Sequence, residues 1–269
     1  KRRHVMLSAY DMNYLLPLMK VEFPFLSYSD SSALQIVTSN LNQAYSNFFK
    51  DSKQFGLPKF KKRGICKLSY TGKSTISILA RRCLKLPKLG PIKTSKTGVL
   101  KDVKIKRYTI EQDSTNRWYI TFQVEVHVDE FVKTNKTVGL DLGLIDMVIG
   151  SDGFKSGCFL VPELESEIKS KQKVYSKRRH YAKVKIAMDK NMKVINPRTL
   201  LDFINVEKAR VTKAKSQKRL ANKRKDFLHK LSTNLVKTYD IIVIEDLKSK
   251  NMMKNHKLAK AIGNASWYE

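Results

Sequence analysis

The stretch that most constrains the fold is Thr137-Val138-Gly139-Leu140-Asp141-Leu142-Gly143-Leu144-Ile145-Asp146. Its apolar residues predict a buried central strand, with Asp141 in the middle of it. A carboxylate is costly to bury, and the two glycines let a ligand or another backbone approach closely. We therefore expect Asp141 to have a chemical role, and Asp146, which follows the strand, to be a turn residue.

A second strand of this kind follows about a hundred residues later, in Ile241-Ile242-Val243-Ile244-Glu245-Asp246-Leu247. Between the two, residues 147–151 and 154–159 flank Asp152-Gly153, a strong hairpin signal. The predicted order is a strand and a hairpin, then a helical excursion, then a strand that ends in Glu245. This is the order expected of an RNase H-like sheet. Glu245 is the candidate partner of Asp141, and Asp246 replaces it if the strand register slips by one residue.

The charge balance favours a polyphosphate partner. The 269 residues include 53 Lys and Arg against 24 Asp and Glu, a net charge of +29 that repels itself when the chain is compact. Residues 167–230 alone hold 21 basic and five acidic residues, with apolar residues at helical spacing. This pattern predicts two long basic helices, about 163–190 and 199–236, joined around Asn196-Pro197. A merely solvated basic surface is the alternative.

Carboxylates at two strand ends in so basic a protein suit a divalent metal that acts on a phosphodiester. Two or three of them can hold Mg²⁺ ions that activate water and stabilise the leaving oxygen. Asp141 and Glu245 are therefore the candidate metal ligands and catalytic residues. Actin-like and sugar-kinase ATPases also begin with a strand, a Gly and an Asp, but we find no second glycine-rich phosphate loop in this sequence.

The upstream half predicts two further regions. Residues 1–55 suit a helical segment, because apolar residues recur at three- and four-residue intervals, with a turn-rich stretch at 17–29. Residues 56–133 contain short strand candidates, separated by Gly and Pro, which predict a small antiparallel β-barrel; the candidates are 67–70, 74–79, 83–86, 103–110 and 118–128. With residues 134–269 as an RNase H-like α/β domain that has a long basic helical insertion (163–236), the expected fold class is α+β with several domains.

Cysteine usage and hydropathy exclude some classes. Cys66, Cys83 and Cys158 are widely spaced and form no Cys-x-x-Cys pair, which disfavours a disulfide framework or a self-contained zinc site. We find no signal peptide and no apolar run of about 18 residues, so we expect a cytoplasmic protein without a membrane partner. The sequence does not fix the oligomeric state.

Several motifs together resemble one known family. Residues 138–144, with Ser151-Asp152-Gly153, resemble the first RuvC motif of the TnpB/OrfB family, transposon-encoded proteins related to type V CRISPR effectors. Residues 225–232, which lead into 242–247, 251–255 and 258–262, are similar to the second RuvC motif and its flanking helices. Residues 33–35, 44–49, 58–61 and 84–90 are similar to the family's recognition helices and wedge barrel, so the resemblance runs almost end to end.

The resemblance implies an RNA-guided DNA endonuclease that uses Mg²⁺, with Asp141 and Glu245 as metal ligands for DNA cleavage. It also implies that the barrel and the basic helices bind a transposon-derived guide RNA and its heteroduplex with DNA, mostly through the backbone. The candidate phosphate contacts are Lys59, Lys61, Arg178, Arg179, Lys218, Arg219, Lys223, Arg224 and Lys254.

The sequence also departs from the family pattern. A complete member continues into a four-cysteine zinc ribbon and a third RuvC motif with another catalytic Asp, whereas this sequence stops at Glu269 without a cysteine pair. The usual first barrel strand is also missing. We therefore expect a chain truncated at both ends, with zinc only in a full-length form and with little or no nuclease activity. The alternative function is a catalytically inactive nucleic-acid-binding protein, such as a guide-RNA-loaded DNA binder or repressor.

Overall fold

The chain divides into two compact units, residues 1–128 and 129–269. The structure, a computed structural model, describes residues 7–61, 66–73, 75–95, 103–127 and 130–266. Ser74, the first residue of one predicted strand, and Val128, the last residue of another, lie outside these ranges. The α+β class is confirmed, and the finer division at residues 55 and 133 stays a prediction.

The first unit begins with two helices, α1 (Ala9–Glu22) and α2 (Ser31–Lys50), separated by the 3₁₀ turn Pro24–Tyr28. A capping box starts α1, since the Ser8 hydroxyl accepts the Asp11 N–H and the Asp11 carboxylate accepts the Ser8 N–H. The helical prediction is confirmed here, but the turn-rich stretch was placed too early. Pro17 lies inside α1. The proline removes one helix hydrogen bond there, but α1 continues past it.

Six strands lie in the part of the first unit that the structure describes: β1 (Ser69–Gly72), β2 (Ser77–Ala80), β3 (Cys83–Leu86), β4 (Gly90–Lys93), β5 (Ile105–Gln112) and β6 (Trp118–Val124). They form two antiparallel sheets, in the orders β1-β5-β6 and β2-β3-β4. The predicted closed barrel is therefore wrong for the described residues. The β2-β3-β4 sheet pairs only strands that follow one another in the sequence, and no described pairing joins its edge strands β2 and β4 to the β1-β5-β6 sheet.

The second unit is built on a small mixed sheet of β7 (Thr137–Asp141), β8 (Ile149–Gly150) and β9 (Ile241–Ile244), in the order β8-β7-β9. The central strand β7 pairs antiparallel with β8 and parallel with β9. The predicted hairpin is present, with a bridge between Ile149 and Lys155 and backbone hydrogen bonds that continue to Met147 and Gly157, although its regular strand β8 is shorter than expected. One face of the sheet packs into a cluster of Val138, Leu140, Met147, Val148, Leu235 and Tyr239.

Two long helices connect β8 to β9: α3 (Pro162–Asn191) and α4 (Ile204–Thr238), with a 3₁₀ turn at Leu200–Asp202. They run antiparallel, because the partners Lys171 and Ser216, Arg178 and Asn205, and Asp189 and Arg198 converge toward the connection. Both predicted helices are confirmed to within a few residues. We call α3, the connection 192–203 and α4 the helical hairpin. The short helices α5 (Ser249–Met252) and α6 (Ala259–Ala265) follow β9.

Within the described ranges, every helix is too short or too polar to cross a membrane.

Candidate functional site

Asp141 and Glu245 leave the sheet side by side. Asp141 is the last residue of β7, and Glu245 directly follows Ile244, the last residue of β9. Leu140 and Ile244 are partners in the parallel register, so each carboxylate follows a paired position. Residues in register on parallel strands point to the same face of the sheet. The strand topology therefore brings these two predicted residues to one edge and one face.

That face of the sheet is open. Val138 and Leu140 point into the core, whereas Gly139 and Asp141 alternate to the other side, where Val243 of β9 is 59% exposed. The expectation that Asp141 lies in the middle of a buried strand is wrong, because the strand ends at Asp141 and its side chain is exposed. The carboxylate thus stays hydrated, and its charge is not buried when the chain folds.

The two carboxylates line a shallow cleft of about 440 Å³. We call this cleft the carboxylate cleft. It is lined by Gly139, Leu140, Asp141, Ile149, Gly150, Ser151, Val243, Ile244 and Glu245. None of these nine residues is basic, although the chain has a net charge of +29. Among the residues that the structure describes, neither carboxylate has a hydrogen-bond or ion-pair partner. The cleft therefore presents two negative charges without an internal counterion.

Ser151 supplies the wall of the cleft next to Asp141. Its N–H donates to the Gly139 carbonyl at 2.8 Å, and its hydroxyl accepts the Gly139 N–H at 3.1 Å. A Cβ at Gly139 would lie 3.8 Å from the Ser151 Oγ, in ordinary contact. The sequence analysis placed Ser151 in the predicted hairpin and in a motif that resembles the first RuvC motif, and its place in the cleft follows from its pairing with Gly139.

Two polar contacts, neither of which was predicted from the sequence, tie the cleft strands to the end of α4. The Tyr239 hydroxyl donates to Asp152 in the turn after β8, which lowers the pKa of Asp152 and raises the pKa of Tyr239. Asp240 accepts the backbone N–H groups of Thr134 (3.0 Å) and Asn135 (2.7 Å), which lowers the pKa of Asp240. These contacts hold the starts of β7 and β9 side by side, where Thr137 pairs with Ile241.

The donor set of the cleft suits a hard cation. Two carboxylates and the Ser151 hydroxyl offer only oxygen, the ligand type that Mg²⁺ prefers, and Mg²⁺ commonly keeps several waters. Within the described ranges, no group of three or more His, Cys, Asp or Glu side chains is placed to hold a metal. Asp146 lies in the bend 144–147, as expected of a turn residue, and Asp246 is exposed beside Glu245.

The candidate phosphate contacts fall into two groups. Arg179, Arg219 and Lys223 are exposed on the helical hairpin, Lys254 is exposed after α5, and Lys59 and Lys61 are exposed on an irregular segment of the first unit. The others have structural partners. Arg178 donates to the Asn205 carbonyl at 3.1 Å, and Lys218 is half-buried with a partner inside the molecule. Arg224 donates to Asn264 at 3.0 Å and stacks 5.7 Å from the Phe159 ring centre.

Comparisons with known proteins agree on one family. A profile of the OrfB_IS605 family, described as "Probable transposase", matches residues 121–256, just over half of the chain. A "Putative RNA-guided DNA endonuclease" of Streptomyces pristinaespiralis is 30% identical over 258 residues, which cover 92% of this chain and 57% of that protein. The "Putative RNA-guided DNA endonuclease InsQ" of Escherichia coli K12 is 31% identical over 239 residues, 87% of this chain and 52% of the relative.

The chain spans about half the length of these curated relatives. The matched region of the profile contains β7, the helical hairpin and β9, and with them both residues that the cleft brings together. This chain therefore belongs to the OrfB (TnpB) transposase family.

Proposed function

We propose that this chain is the part of an RNA-guided DNA endonuclease that carries two metal-binding carboxylates, Asp141 and Glu245. The observation that supports this most is the carboxylate cleft, where both side chains leave neighbouring parallel strands and no basic residue lines the site. The names of the two relatives supply the RNA guide and the DNA substrate.

The connectivity of the second unit supports a RuvC-type, RNase H-like arrangement. A central strand carries the first carboxylate, an antiparallel neighbour follows through a tight turn, and a parallel strand with the second carboxylate comes after a long helical crossover. A parallel neighbour requires such a crossover, and the helical hairpin is that crossover. The separate sheets of the first unit are the counterpart of the wedge region in this proposal.

The cleft residues act as follows in the proposed reaction. Asp141 and Glu245 would hold Mg²⁺, while Ser151 and the side-chain-free Gly139 would leave the open face accessible to a phosphodiester. Bound Mg²⁺ supplies water activation and stabilisation of the leaving oxygen. Without a cation, the two carboxylates repel each other and also repel an approaching phosphate. Metal and nucleic acid are therefore expected to bind cooperatively at this cleft.

The exposed basic side chains of the helical hairpin serve the second part of the proposal, which is the phosphate backbone of the guide RNA and its heteroduplex. Arg179, Arg219 and Lys223 are the strongest candidates because they are exposed on the helices. Base pairing within the heteroduplex then reads the target sequence. Affinity for the heteroduplex should fall steeply with salt, as expected when phosphate contacts release counterions.

The test combines the 269-residue chain with a guide RNA from the transposon end, Mg²⁺ and matched DNA. We expect guide-dependent DNA binding with little or no cleavage, because two carboxylates leave a metal pair short of ligands. Any residual nicking should disappear in Asp141→Ala and Glu245→Ala and persist in Asp246→Ala, the matched control next to Glu245. Residual nicking that survives Asp141→Ala, or that is lost in Asp246→Ala, would contradict the assignment of ligands.

The same assay separates the binding-only alternative. A guide-loaded DNA binder or repressor would bind matched DNA equally with Mg²⁺ and with EDTA, and the Asp141→Ala variant would bind as the wild type does. Efficient cleavage by this chain that Asp141→Ala abolishes would instead refute the expectation of low activity, while supporting the metal site.

A further inference from the structure

The connection between α3 and α4, together with the first residue of α4, exposes several large apolar side chains, and four of them are the most exposed. Met192 is 77% exposed, Ile195 95%, Leu201 86% and Ile204 66%, whereas Val194 and Leu200 are exposed to a smaller extent. Single exposed apolar residues are ordinary, but these four lie close together in the sequence at the end of the helical hairpin. We call these four residues the hairpin tip.

The hairpin tip is held by a fixed scaffold. The Arg198 guanidinium donates to both oxygens of the buried Asp189 carboxylate, with Nε to Oδ2 at 2.6 Å and Nη2 to Oδ1 at 2.5 Å. The Arg198 backbone N–H donates to Asp189 Oδ2 as well, and Thr199 forms a capping box with Asp202. A bidentate arginine and carboxylate pair fixes orientation as well as distance. The exposed side chains are therefore presented in a defined arrangement.

The hairpin tip is distant from the carboxylate cleft. Phe227 of α4 packs against the core cluster under the sheet, and 23 residues separate it from Ile204. At a rise of about 1.5 Å per residue, the helix carries the tip roughly 35 Å away from that core. The tip is therefore too far along α4 to line the cleft.

The surroundings of the hairpin tip are cationic. Lys183, Lys190, Lys193 and Lys208 are exposed near it, while the neighbouring carboxylates Asp189 and Asp202 are engaged within the connection. Exposed apolar side chains that are flanked along the chain by exposed lysines match a surface that is apolar in the centre and negative at its rim. The end of a nucleic-acid duplex has this pattern, with a flat base pair between two phosphate backbones.

A protein partner fits the same surface less well. Stable protein interfaces bury about 800 Å² on each partner and use roughly 20 to 30 residues a side, far more than four side chains provide. A second copy of this chain would also bring the same positive charges against it. Ile, Leu and Met are, in contrast, side chains that proteins place against or between base pairs.

We propose that the hairpin tip stacks on the exposed face of the terminal base pair of a duplex that lies along the helical hairpin. The proposal rests on the proposed function, which supplies the RNA and DNA heteroduplex. It assigns the apolar connection a role in locating the end of the duplex, whereas the basic helices bind its backbone.

The test uses a heteroduplex of about 20 base pairs with 2-aminopurine in the terminal pair, and the same heteroduplex with its ends closed by loops. Wild type is compared with the Ile195→Ser, Leu201→Ser double variant. Val236→Ser is the matched control, because Val236 is 49% exposed at the opposite end of α4. Since the changed residues are exposed, thermal melts should coincide for all three proteins.

We expect the wild type and Val236→Ser to change the 2-aminopurine emission, and the double variant to lose that response. The double variant should bind the open duplex about tenfold more weakly, because the apolar surface of Ile195 and Leu201 is no longer buried against the base pair, with an unchanged salt dependence. The wild type and the double variant should bind the closed duplex equally.

Equal binding of the open duplex by the wild type and the double variant would overturn the stacking role while leaving the proposed function intact. Self-association of the wild type without nucleic acid, lost in the double variant by sedimentation, would also overturn it and assign the tip to a second copy. Failure of the wild type to bind either duplex at low salt would overturn the proposed function together with the stacking role.

Discussion

The carboxylate cleft and the helical hairpin lie in the same folded unit, but their charges are compensated in opposite ways. In the hairpin, the carboxylates Glu167, Asp189, Glu207 and Asp226 each form an ion pair with a Lys or Arg of the same hairpin. In the cleft, Asp141 and Glu245 have no basic residue beside them. These four hairpin acids are therefore compensated within the hairpin, Glu165 of α3 pairs with Lys260 of α6, and the hairpin still presents excess cations, whereas the cleft presents uncompensated acids.

This difference distinguishes structural charges from charges available to ligands. A carboxylate with an internal partner is fixed by the fold, and removing the partner affects folding. A carboxylate pair without a partner adds little to folding and is free to bind a cation. If the cleft and the hairpin differ in this way, substitutions in the two regions should change different properties of the protein.

The scaffold of the cleft should be most sensitive at Gly150. A Cβ there would lie 2.6 Å from the Asp152 Oδ1 and 3.0 Å from the Phe154 Cβ. We expect Gly150→Ala to lower the free energy of unfolding by about 1 to 3 kcal/mol through overpacking, measured by urea denaturation. Gly263→Ala is the control, because nothing lies within 4 Å of a Cβ there and the glycine is inside α6. A stability loss in the control equal to that in Gly150→Ala would contradict this account.

The exposed and the packed arginines of the hairpin should give different phenotypes. Arg219→Ala with Lys223→Ala should weaken heteroduplex binding and reduce the slope of log K against log salt by about 0.9 for each lost phosphate contact. Arg224→Ala should lower thermal stability, because the Arg224 side chain bonds Asn264 and stacks on Phe159. Binding isotherms at several salt concentrations and melting curves measure the two effects. An unchanged salt slope in the double variant would remove these two residues from the interface.

The Asp189 and Arg198 pair should make the hairpin connection sensitive to acid. Hydrogen bonds from the Arg198 side chain lower the pKa of Asp189 to about 2, from an ordinary 3.8. Because the folded pKa lies below the unfolded one, the stabilisation is complete above about pH 4 and is lost as the pH falls toward 2. Limited proteolysis at the connection by an acid protease should rise over this range in the wild type. Asp189→Asn should be cleaved readily at pH 5 already; protection equal to that of the wild type would contradict the role of the pair.

The smallest effect is expected at the contact between Tyr239 and Asp152. Tyr239→Phe removes the hydroxyl that lowers the pKa of Asp152, so that pKa should move back up toward its ordinary value. Carboxyl ¹³C chemical shifts followed against pH report this directly. The Asp189 pKa serves as the internal reference, since Asp189 pairs with Arg198 and does not contact Tyr239. No change at Asp152 would show that the hydrogen bond is absent in solution.

The elements that were predicted well have long or strongly periodic patterns. The helix predicted over 199–236 was found as α4, from Ile204 to Thr238, because apolar positions recur over many of its turns. The adjacency of Asp141 and Glu245 followed from strand order alone, since a parallel neighbour brings equivalent ends together. Local patterns therefore sufficed wherever one element or one pairing decided the outcome.

The errors arose where pairing partners or strand length decided the structure. Gly90 and Pro91 suggested a break, yet they begin β4, because a proline is tolerated on an edge strand. The apolar run around Asp141 did not reveal that β7 ends there, which leaves the carboxylate exposed. Arg224 looked like its exposed neighbours, and only the packing of α4 against Phe159 and Asn264 distinguishes it.

The central claim is that the uncompensated carboxylates of the cleft bind a divalent cation. Mn²⁺ binding to the 269-residue chain, followed by electron paramagnetic resonance, tests it most directly. The account predicts that the affinity for Mn²⁺ falls at least about tenfold in Asp141→Asn and in Glu245→Gln, because each variant loses one charged ligand. The affinity should be unchanged in Asp246→Asn. Mn²⁺ binding that is absent in the wild type, or that is equal in all four proteins, would contradict it.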